Sequence, residues 1–484
     1  VRHYYTADVI REAEAPLLAS LPDGVLMRRA AFGLAGAIAR ELHARTGGIA
    51  GRRICAVIGS GDNGGDALWA ATFLRRRGVR ASAIVLNPQR VHHAGLAAFT
   101  RSGGQAVQSL PQATDLVIDG VVGISASGPL RPDAEAVFAA VDDAGVPVVA
   151  VDLPSGLDVT TGAADGPHVR AALTVTFGGR KPVHALGDCG RVELVDIGLD
   201  LPDADLVSLE AVDVAARWPI PGPRDDKYTQ GVTGILAGSS TYPGAAILCT
   251  GAAVAATSGM VRYAGTAAAE VVSHWPEVIA TSSAEDAGRV QTWVVGPGIG
   301  TDDAGEGALR FALDTDLPVV VDADALTILA AHPELLRGRT APTVLTPHAG
   351  EFARLAGHPP GDDRVAATQA LADQFGATVL LKGNVTVIAE HPGASEATGD
   401  RSTPPVYLNP AGQSWAATAG SGDVLSGVIG SLLAAGLPSG EAAAMAAFVH
   451  ARAAGLSAAS PGPRPAPTSA SGILGHIRSS IANL

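Results

Sequence analysis

The sequence predicts an α/β chain of two three-layer domains, each a parallel sheet with helices on both faces. Three observations carry this expectation. Short apolar runs alternate with helical segments through both halves of the chain. Most of those runs lead directly into clusters of Gly, Asp, Asn or Ser, where sheets of this kind bind their ligands. A stiff stretch, Trp218-Pro219-Ile220-Pro221-Gly222-Pro223, separates the halves, and the composition resets after it. The expected domains are therefore 1–217 and 218–484.

The 484 residues suffice for two or three domains, each with its own core. Apolar residues make up 47% but aromatics only 4%, so the cores must be built from Ala, Val, Leu and Ile. A formal charge of −13 argues against a nucleic-acid or anionic-membrane partner. Any phosphate site must then work through backbone N–H groups and a few chosen cations. The basic residues are nearly all Arg, and the lysines are Lys181, Lys227 and Lys382. Such a bias leaves lysine where a compact ammonium is hard to replace with a guanidinium. Cys55, Cys189 and Cys249 match no metal-ligand spacing and fit a reducing cytosol as small buried hydrophobes. Asp8, Arg11, Glu12 and Glu14 interrupt the N-terminal stretch, so no signal peptide is expected. Gly, Pro or charge should break every apolar stretch before it could span a bilayer. A cytoplasmic protein is the expectation.

Residues 6–45 show helical periodicity, with Leu26, Met27, Ala30, Ala31, Leu34, Ile38 and Leu42 on recurring faces. A strand at 54–58 ends in Gly59-Ser60-Gly61-Asp62-Asn63-Gly64-Gly65-Asp66. A helix is expected at 67–77 and strands at 81–86, 116–118, 146–151 and 173–177. Asn63 and Asp66 follow the first strand, while Asp119 and Asp152 each end a later one, so these groups should converge on one rim. Each Asp could instead merely cap the helix that follows it. The Gly-rich loop satisfies GxGxxG, but Asp62, Asn63 and Asp66 would put acid beside a pyrophosphate. They suit a metal ion or a sugar-like hydroxyl better.

Residues 28–196 resemble the NAD(P)H-hydrate epimerase family, the YjeF N-terminal domain, which has a Rossmann-like sheet. The motifs are Gly61 through Asp66, Asp119 with 123–131, Asp152-Leu153-Pro154-Ser155-Gly156-Leu157, and Thr176-Phe177 with Lys181-Pro182. The resemblance implies substrate contacts at Asp62, Asn63, Gly64, Gly65 and Asp66. It implies further contacts at Gly123, Ile124, Ser125, Ala126, Ser127, Gly128 and Pro129. It also implies K⁺ held by Asn63, Asp119 and Ser155, oxygen donors that suit a hard cation. Asp152 is implied as acid or base while the hydrated nicotinamide carbon inverts. Asp62 stands where the family usually has Asn, and Ala67 where it usually has Gly.

In the second half, strands are expected at 234–237, 292–295, 319–321 and 344–345, with a buried helix from Ala245. A hairpin-like pair surrounds Lys382-Gly383-Asn384. The motifs Gly238-Ser239-Ser240, Gly296-Pro297-Gly298-Ile299-Gly300, Asp322-Ala323-Asp324 and Thr346-Pro347-His348-Ala349-Gly350-Glu351 again follow strands. His348 is a candidate by its place at a strand end, although lone histidines are more often satisfied surface or core groups. Lys382 sits either where a phosphate could reach it or in a structural salt bridge. Residues 417–425 combine small residues whose N–H groups can converge on an anion with an apolar run that opens a helix. Asp423 stands at that junction. It is either the N-cap of a Gly-rich turn or a base taking a proton from a hydroxyl that attacks a phosphate. From about 457 a Pro/Ser-rich run leads to a terminal helix at 473–483.

These segments, over 226–437, resemble the ADP/ATP-dependent NAD(P)H-hydrate dehydratase family, an α/β/α fold of the ribokinase-like superfamily. The two resemblances stand in the order of the bifunctional repair enzymes. Implied nucleotide contacts are Lys382, Gly383, Asn384, Val385, Thr386, Gln413, Thr418, Ala419, Gly420, Ser421 and Gly422. Implied hydrate contacts are Ala245, Gly298, His348 and Asp423. Ala419 replaces a usual Gly and Gln413 a usual Asn. The implied function is nicotinamide nucleotide repair, in which the first domain interconverts R and S epimers of NAD(P)HX. The second dehydrates the S form at the expense of ADP (or ATP), with Mg²⁺ held largely through phosphates, giving AMP and phosphate. The expected partners are this substrate, an adenine nucleotide and further copies of the chain in a homo-oligomer. Two rivals are a ribokinase-like small-molecule kinase and a dehydratase whose first domain is a non-catalytic binding module.

Overall fold

Ile54, Ala56 and Ile58 face one side of their strand and Cys55 and Val57 the other, and all five are buried. A strand that is apolar on both faces needs cover on both, which is why the chain builds three layers. The computed structural model describes residues 1–123, 128–257, 259–392 and 404–484. The chain forms two units, His3–Ala204 and Asp205–Leu484, the latter joined by Val1–Arg2.

In the first unit the strand order is Gln105–Val107, Arg80–Val85, Arg53–Ile58, Leu116–Gly120, Val148–Val151, Leu173–Phe177 and Arg191–Val195, with all neighbours parallel. Helices Val25–Thr46 and Asp62–Arg76 cover one face, and Pro132–Asp143 packs on the other. The sheet grows in opposite directions from Arg53–Ile58 and Leu116–Gly120, so the ligand crevice lies beyond those two strand ends. The expected 6–45 helix is two helices, Ala7–Ser20 and Val25–Thr46, parted by Pro22 and by Gly24 at φ 71°. The helix expected at 67–77 starts earlier, at Asp62, and takes Gly64 and Gly65 into its first turns.

The second unit's sheet runs from Leu206–Ser208 through Val406–Pro410, Val385–Glu390, Thr378–Leu381, Thr343–Leu345, Val319–Val321, Thr292–Val295, Val232–Leu236 and Met260–Ala264 to Ile279–Thr281. Val385–Glu390 is antiparallel to both neighbours, so the hairpin expected around Lys382 is present. The sheet's direction of growth reverses between Val232–Leu236 and Thr292–Val295. The Ala-rich helix Pro243–Ala256 is buried, as its composition predicts, with Ser421–Ala434, Ser439–Ala459 and Ala470–Ala482 in one core.

Three further expectations need correction. The boundary lies before Arg217, because Leu206 and Val207 pair with Val406 and Tyr407 in the second sheet. Val214 and Trp218 also belong to the second core, with Trp218 Nε1 donating to Ala256 O at 3.1 Å. Helix Ser439–Ala459 runs past Leu456, and the terminal helix starts at Ala470 and buries Ile473 and Ile477. That same helix, Ser439–Ala459, is long and apolar enough to cross a membrane by length and composition. Its apolar window is 67% buried inside the unit, where Ala442, Met445, Ala446 and Val449 meet the core.

Candidate active sites

In the first unit Asp119, the next-to-last residue of Leu116–Gly120, is fully buried. Ser155 N and Oγ donate to its Oδ2 and Oδ1 at 2.8 and 2.7 Å, and Val121 N donates to Oδ1 at 3.2 Å. Burial nevertheless pushes the carboxyl up to about 6, because these hydrogen bonds oppose it only in part. Asn63 Nδ2 donates to Val122 O at 2.8 Å and Val151 O at 2.6 Å, which turns its Oδ1 toward Gly123. A Cβ at Gly123 would lie 2.8 Å from that oxygen, so a side chain there would close the space. A buried carboxylate with no ion pair among the described residues, beside two further oxygen donors, has the donor chemistry of a hard-cation site.

Asp152 follows Val148–Val151 at φ 68°, a left-handed conformation that costs a non-glycine residue on the order of 1–3 kcal/mol. Its Oδ1 accepts from Lys181 Nζ at 2.6 Å and from Thr176 Oγ1 at 2.8 Å. Burial is the largest influence and would raise this carboxyl, but the buried Lys181 ammonium and the other polar neighbours together hold it below its ordinary value. Among the described residues Asp66 has no such cation. Burial first, then the carboxylates of Asp152, Asp62 and Glu14, push it well above the ordinary range. Its Oδ1 has no hydrogen-bond partner among the described residues. Asp62, Asn63, Asp66, Gly123, Gly128, Pro129 and Asp152 line one cavity of about 850 Å³, together with Glu14, Arg90, Arg131 and Lys181. Gly64 and Gly65 sit inside the helix, away from the lining, and Ile124, Ser125, Ala126 and Ser127 lie outside the described residues.

In the second unit Asp423 lies in the first turn of Ser421–Ala434, whose N-cap is Gly420 at φ 82°. The left-handed turn needs glycine, and a Cβ there would also strike Leu248 Cδ1 at 2.7 Å. Burial first and the neighbouring Asp322 second push Asp423 up to about 7, with Lys382 opposing them. Lys382 itself is committed elsewhere, its Nζ donating to Asp322 Oδ1 at 2.8 Å and lying 3.6 Å from Glu351 Oε2. Asp322 also accepts from Ser426 Oγ at 2.8 Å, and despite burial it is held low by that ammonium. A Cβ at Gly422 would lie 3.4 Å from Lys382 Nζ, which puts the helix start beside the cation. Helix N-terminal N–H groups, an ammonium and a poised carboxyl thus meet at one strand rim.

The remaining predicted residues fall around this centre. A Cβ at Gly298 would lie 2.9 Å from Ala245 Cβ, so these two meet at the point where the sheet reverses. Gly383, Asn384, Val385 and Thr386 form the hairpin turn and strand start after Lys382, and Ala411 N donates to Asn384 O at 2.9 Å, which brings Gln413's loop alongside. Thr418 and Ala419 precede the cap, and Ser421 Oγ donates to Ala416 O at 2.6 Å, bracing the loop. His348 does cap a helix: its Nδ1 accepts from Gly350 N at 2.9 Å and Glu351 N at 3.3 Å. Its Nε2 lies 3.5 Å from Glu351 Oε1, so the ring joins the Lys382–Glu351 group.

The sequence reading leaves out several members of these sites. Thr176 appears there only within a motif, Lys181 only within a motif and among the three lysines, and Asp322 and Glu351 only as residues after strands. Glu14 and His184 have no role there at all. The available signal was lysine scarcity, because two of the three lysines are the ammonium groups of the two sites.

Comparison with known proteins agrees with this division. The family model described as YjeF-related protein N-terminus matches residues 23–183, and that for NAD(P)H-hydrate dehydratase matches residues 233–475. A curated bifunctional NAD(P)H-hydrate repair enzyme Nnr from Mycobacterium tuberculosis is 75% identical over all of both chains. The enzyme of the same name from Corynebacterium glutamicum is 36% identical, covering 89% of this chain and 87% of the relative. A solved ribokinase-like superfamily protein from Enterococcus faecalis shares the second unit's fold at a TM-score of 0.50 and 21% identity, covering 59% of this chain and 98% of that one. This chain, with its epimerase-type unit followed by its dehydratase-type unit, belongs to the bifunctional NAD(P)H-hydrate repair enzymes.

Proposed function

We propose that the chain recovers both epimers of hydrated NADH or NADPH, the first unit interconverting R and S forms and the second dehydrating the S form with ADP. The observation that carries this reading is Asp423, a carboxyl near pKa 7 at a helix N-terminus, beside an ammonium that another carboxylate holds. A hydroxyl is a poor leaving group and a phosphate a good one. Asp423 takes the hydroxyl proton as the oxygen attacks the terminal phosphorus of the nucleotide, and the bond to AMP breaks with its electron pair. The N–H groups at 419–422 and Lys382 stabilise charge on the transferring phosphoryl group. The ring nitrogen's lone pair then expels phosphate, and loss of a proton from the neighbouring carbon restores the ring double bond. The described residues hold no group of three or more His, Cys, Asp or Glu suited to a metal. Mg²⁺ would therefore be held mainly by phosphate oxygens, whose charge it spreads.

In the first unit Asp152 supplies an ionised carboxylate at the inverting centre, and Arg90 and Arg131 offer charge to phosphates. K⁺ among Asn63, Asp119 and Ser155 would neutralise Asp119 and draw a substrate oxygen to that end of the cavity. Three buried free cysteines support a reducing cytosol as the setting.

The test is one assay of the full chain on racemic hydrate, with ADP, with ATP and with no nucleotide. Complete conversion to the reduced cofactor with ADP, releasing free phosphate, is the expected result. Conversion stopping at half would leave only dehydration. A stable phosphorylated product would indicate the kinase, and no conversion would overturn the reading.

A further inference from the structure

We propose that His184 is a positioning residue for epimerisation, holding the Asp152 backbone in the left-handed conformation that sets its carboxylate against Lys181. His184 does not line the cavity, so it acts through Asp152 rather than on the substrate. Its two ring nitrogens have fixed and different partners. Lys181 N donates to Nδ1 at 2.8 Å, which leaves Nδ1 without a proton. Nε2 therefore carries the hydrogen and donates it to Asp152 O at 2.7 Å. One imidazole thus ties together the backbones of two residues whose side chains already meet at 2.6 Å. Thr176 closes the ring of contacts, its Oγ1 donating to Asp152 Oδ1 and accepting from Lys181 Nζ at 3.0 Å.

This arrangement explains why Asp152 stays at φ 68°, where a residue with a Cβ ordinarily does not rest. The carboxylate is anchored by Lys181 and Thr176, and the carbonyl by His184. Releasing the carbonyl lets the peptide rotate toward an ordinary conformation and swings the carboxylate away from the substrate. The ring must be neutral to accept at Nδ1. Burial first, and then the charge of Lys181, keep it so by bringing its pKa down to about 4. The charged groups around it are Asp152, Lys181 and Arg180, and no proton on His184 has to move for the role to operate.

The inference rests on the epimerase reading above. The full chain is compared with H184A, H184Q and H184N by R-to-S interconversion, with binding stoichiometry measured by calorimetry on the hydrate. H184A is expected to lower kcat by about 10–100-fold, as misplacement of a reacting group does, with KM within about twofold. H184Q keeps an N–H donor for Asp152 O and should recover part of the loss, whereas H184N, which keeps only the acceptor for Lys181 N, should recover less. Ring ¹⁵N spectra, with His184 assigned by its absence in H184Q, should show an unprotonated Nδ1 and a protonated Nε2. Unchanged kcat in H184A, equal activity in H184Q and H184N, or the Nδ1–H tautomer would each overturn the proposal. If H184A does not fold, shown by lost binding stoichiometry, the two amide variants and the spectra decide. A wild-type chain that fails to interconvert epimers would overturn the epimerase reading and this inference with it, a result distinct from active wild type with indifferent variants.

Discussion

Each unit places a lysine–aspartate pair at the carboxyl ends of parallel strands, fully buried in the first unit and with a partly exposed lysine in the second, yet the two pairs act in opposite ways. In the first, Lys181 grips the proposed base itself, and Asp152 stays ionised below the ordinary carboxylate range. In the second, Lys382 grips Asp322, and the proposed base Asp423 is left to burial and a like charge that raise it to about 7. The backbone repeats the parallel. Ala113, Asp152 and Ala323 are the described non-glycine residues at positive φ, and the last two are one member of a pair and the neighbour of another. The two carboxylates differ in whether an ammonium is in contact: Asp152 is held below its ordinary value, whereas Asp423 rises to about 7. A base that must deprotonate an ordinary hydroxyl works best with a pKa near the working pH. A buried carboxylate is held ionised over a wider pH range by a cation in contact.

The largest expected effect comes from removing the poised group. D423N should lower dehydration by about 10²–10⁴-fold while nucleotide still binds, measured as phosphate release and by calorimetry. Near-normal turnover would end the role assigned to Asp423. The wild-type rate should also fall as pH drops through about 7, because protonated Asp423 cannot accept the hydroxyl proton.

The matching change in the first unit is K181M. It strands the Asp152 carboxylate without its cation, at a cost of about 3–5 kcal/mol for a broken buried pair. Because the folded pKa of Asp152 is depressed, the pair stabilises the fold above the unfolded carboxylate pKa and is lost only as pH falls through the folded value. The whole loss should therefore appear at neutral pH, as an earlier denaturant midpoint for this unit, with epimerisation failing and dehydration retained. An unchanged midpoint would show that Thr176 and His184 hold Asp152 without the ammonium.

How much of this was legible in the sequence differs between strand ends and partners. Asp119, Asp152 and Asn63 could be grouped because apolar runs mark strands and every parallel strand delivers the residues at and just beyond its end to the same rim. Asp423 could be singled out because glycines before an apolar helix are physically suited to anions. The partner of each carboxylate could not be read in the same way. Asp152 and Lys181 are 29 positions apart, and their contact depends on a left-handed turn at an aspartate, which no propensity anticipates. Leu206–Ser208 was missed because its partner strand lies about 200 residues on, and three residues carry no periodicity. Met260–Ala264 has Arg262 in its middle, which hides an otherwise buried strand.

The smallest expected effect is also the sharpest test of the comparison, because it changes the second site toward the logic of the first. D322N removes the negative charge that is the second cause of Asp423's elevation and releases Lys382 from its nearest partner. The side-chain amide can still accept from Ser426 Oγ, so the local packing survives. Lys382 Nζ already lies beside Gly422, close enough to turn its charge onto the next residue. Both changes stabilise the ionised form of Asp423, so its pKa falls. The acid limb of the dehydration profile should move to lower pH by about one unit, equivalent to about 1.4 kcal/mol. It should not return to the ordinary aspartate value, because burial, the largest cause, remains. The plateau should drop as well, since a weaker base drives proton transfer less strongly. A midpoint that stays near 7 in D322N would show that burial alone poises Asp423, and the two lysine–aspartate pairs would then share a shape without sharing a purpose.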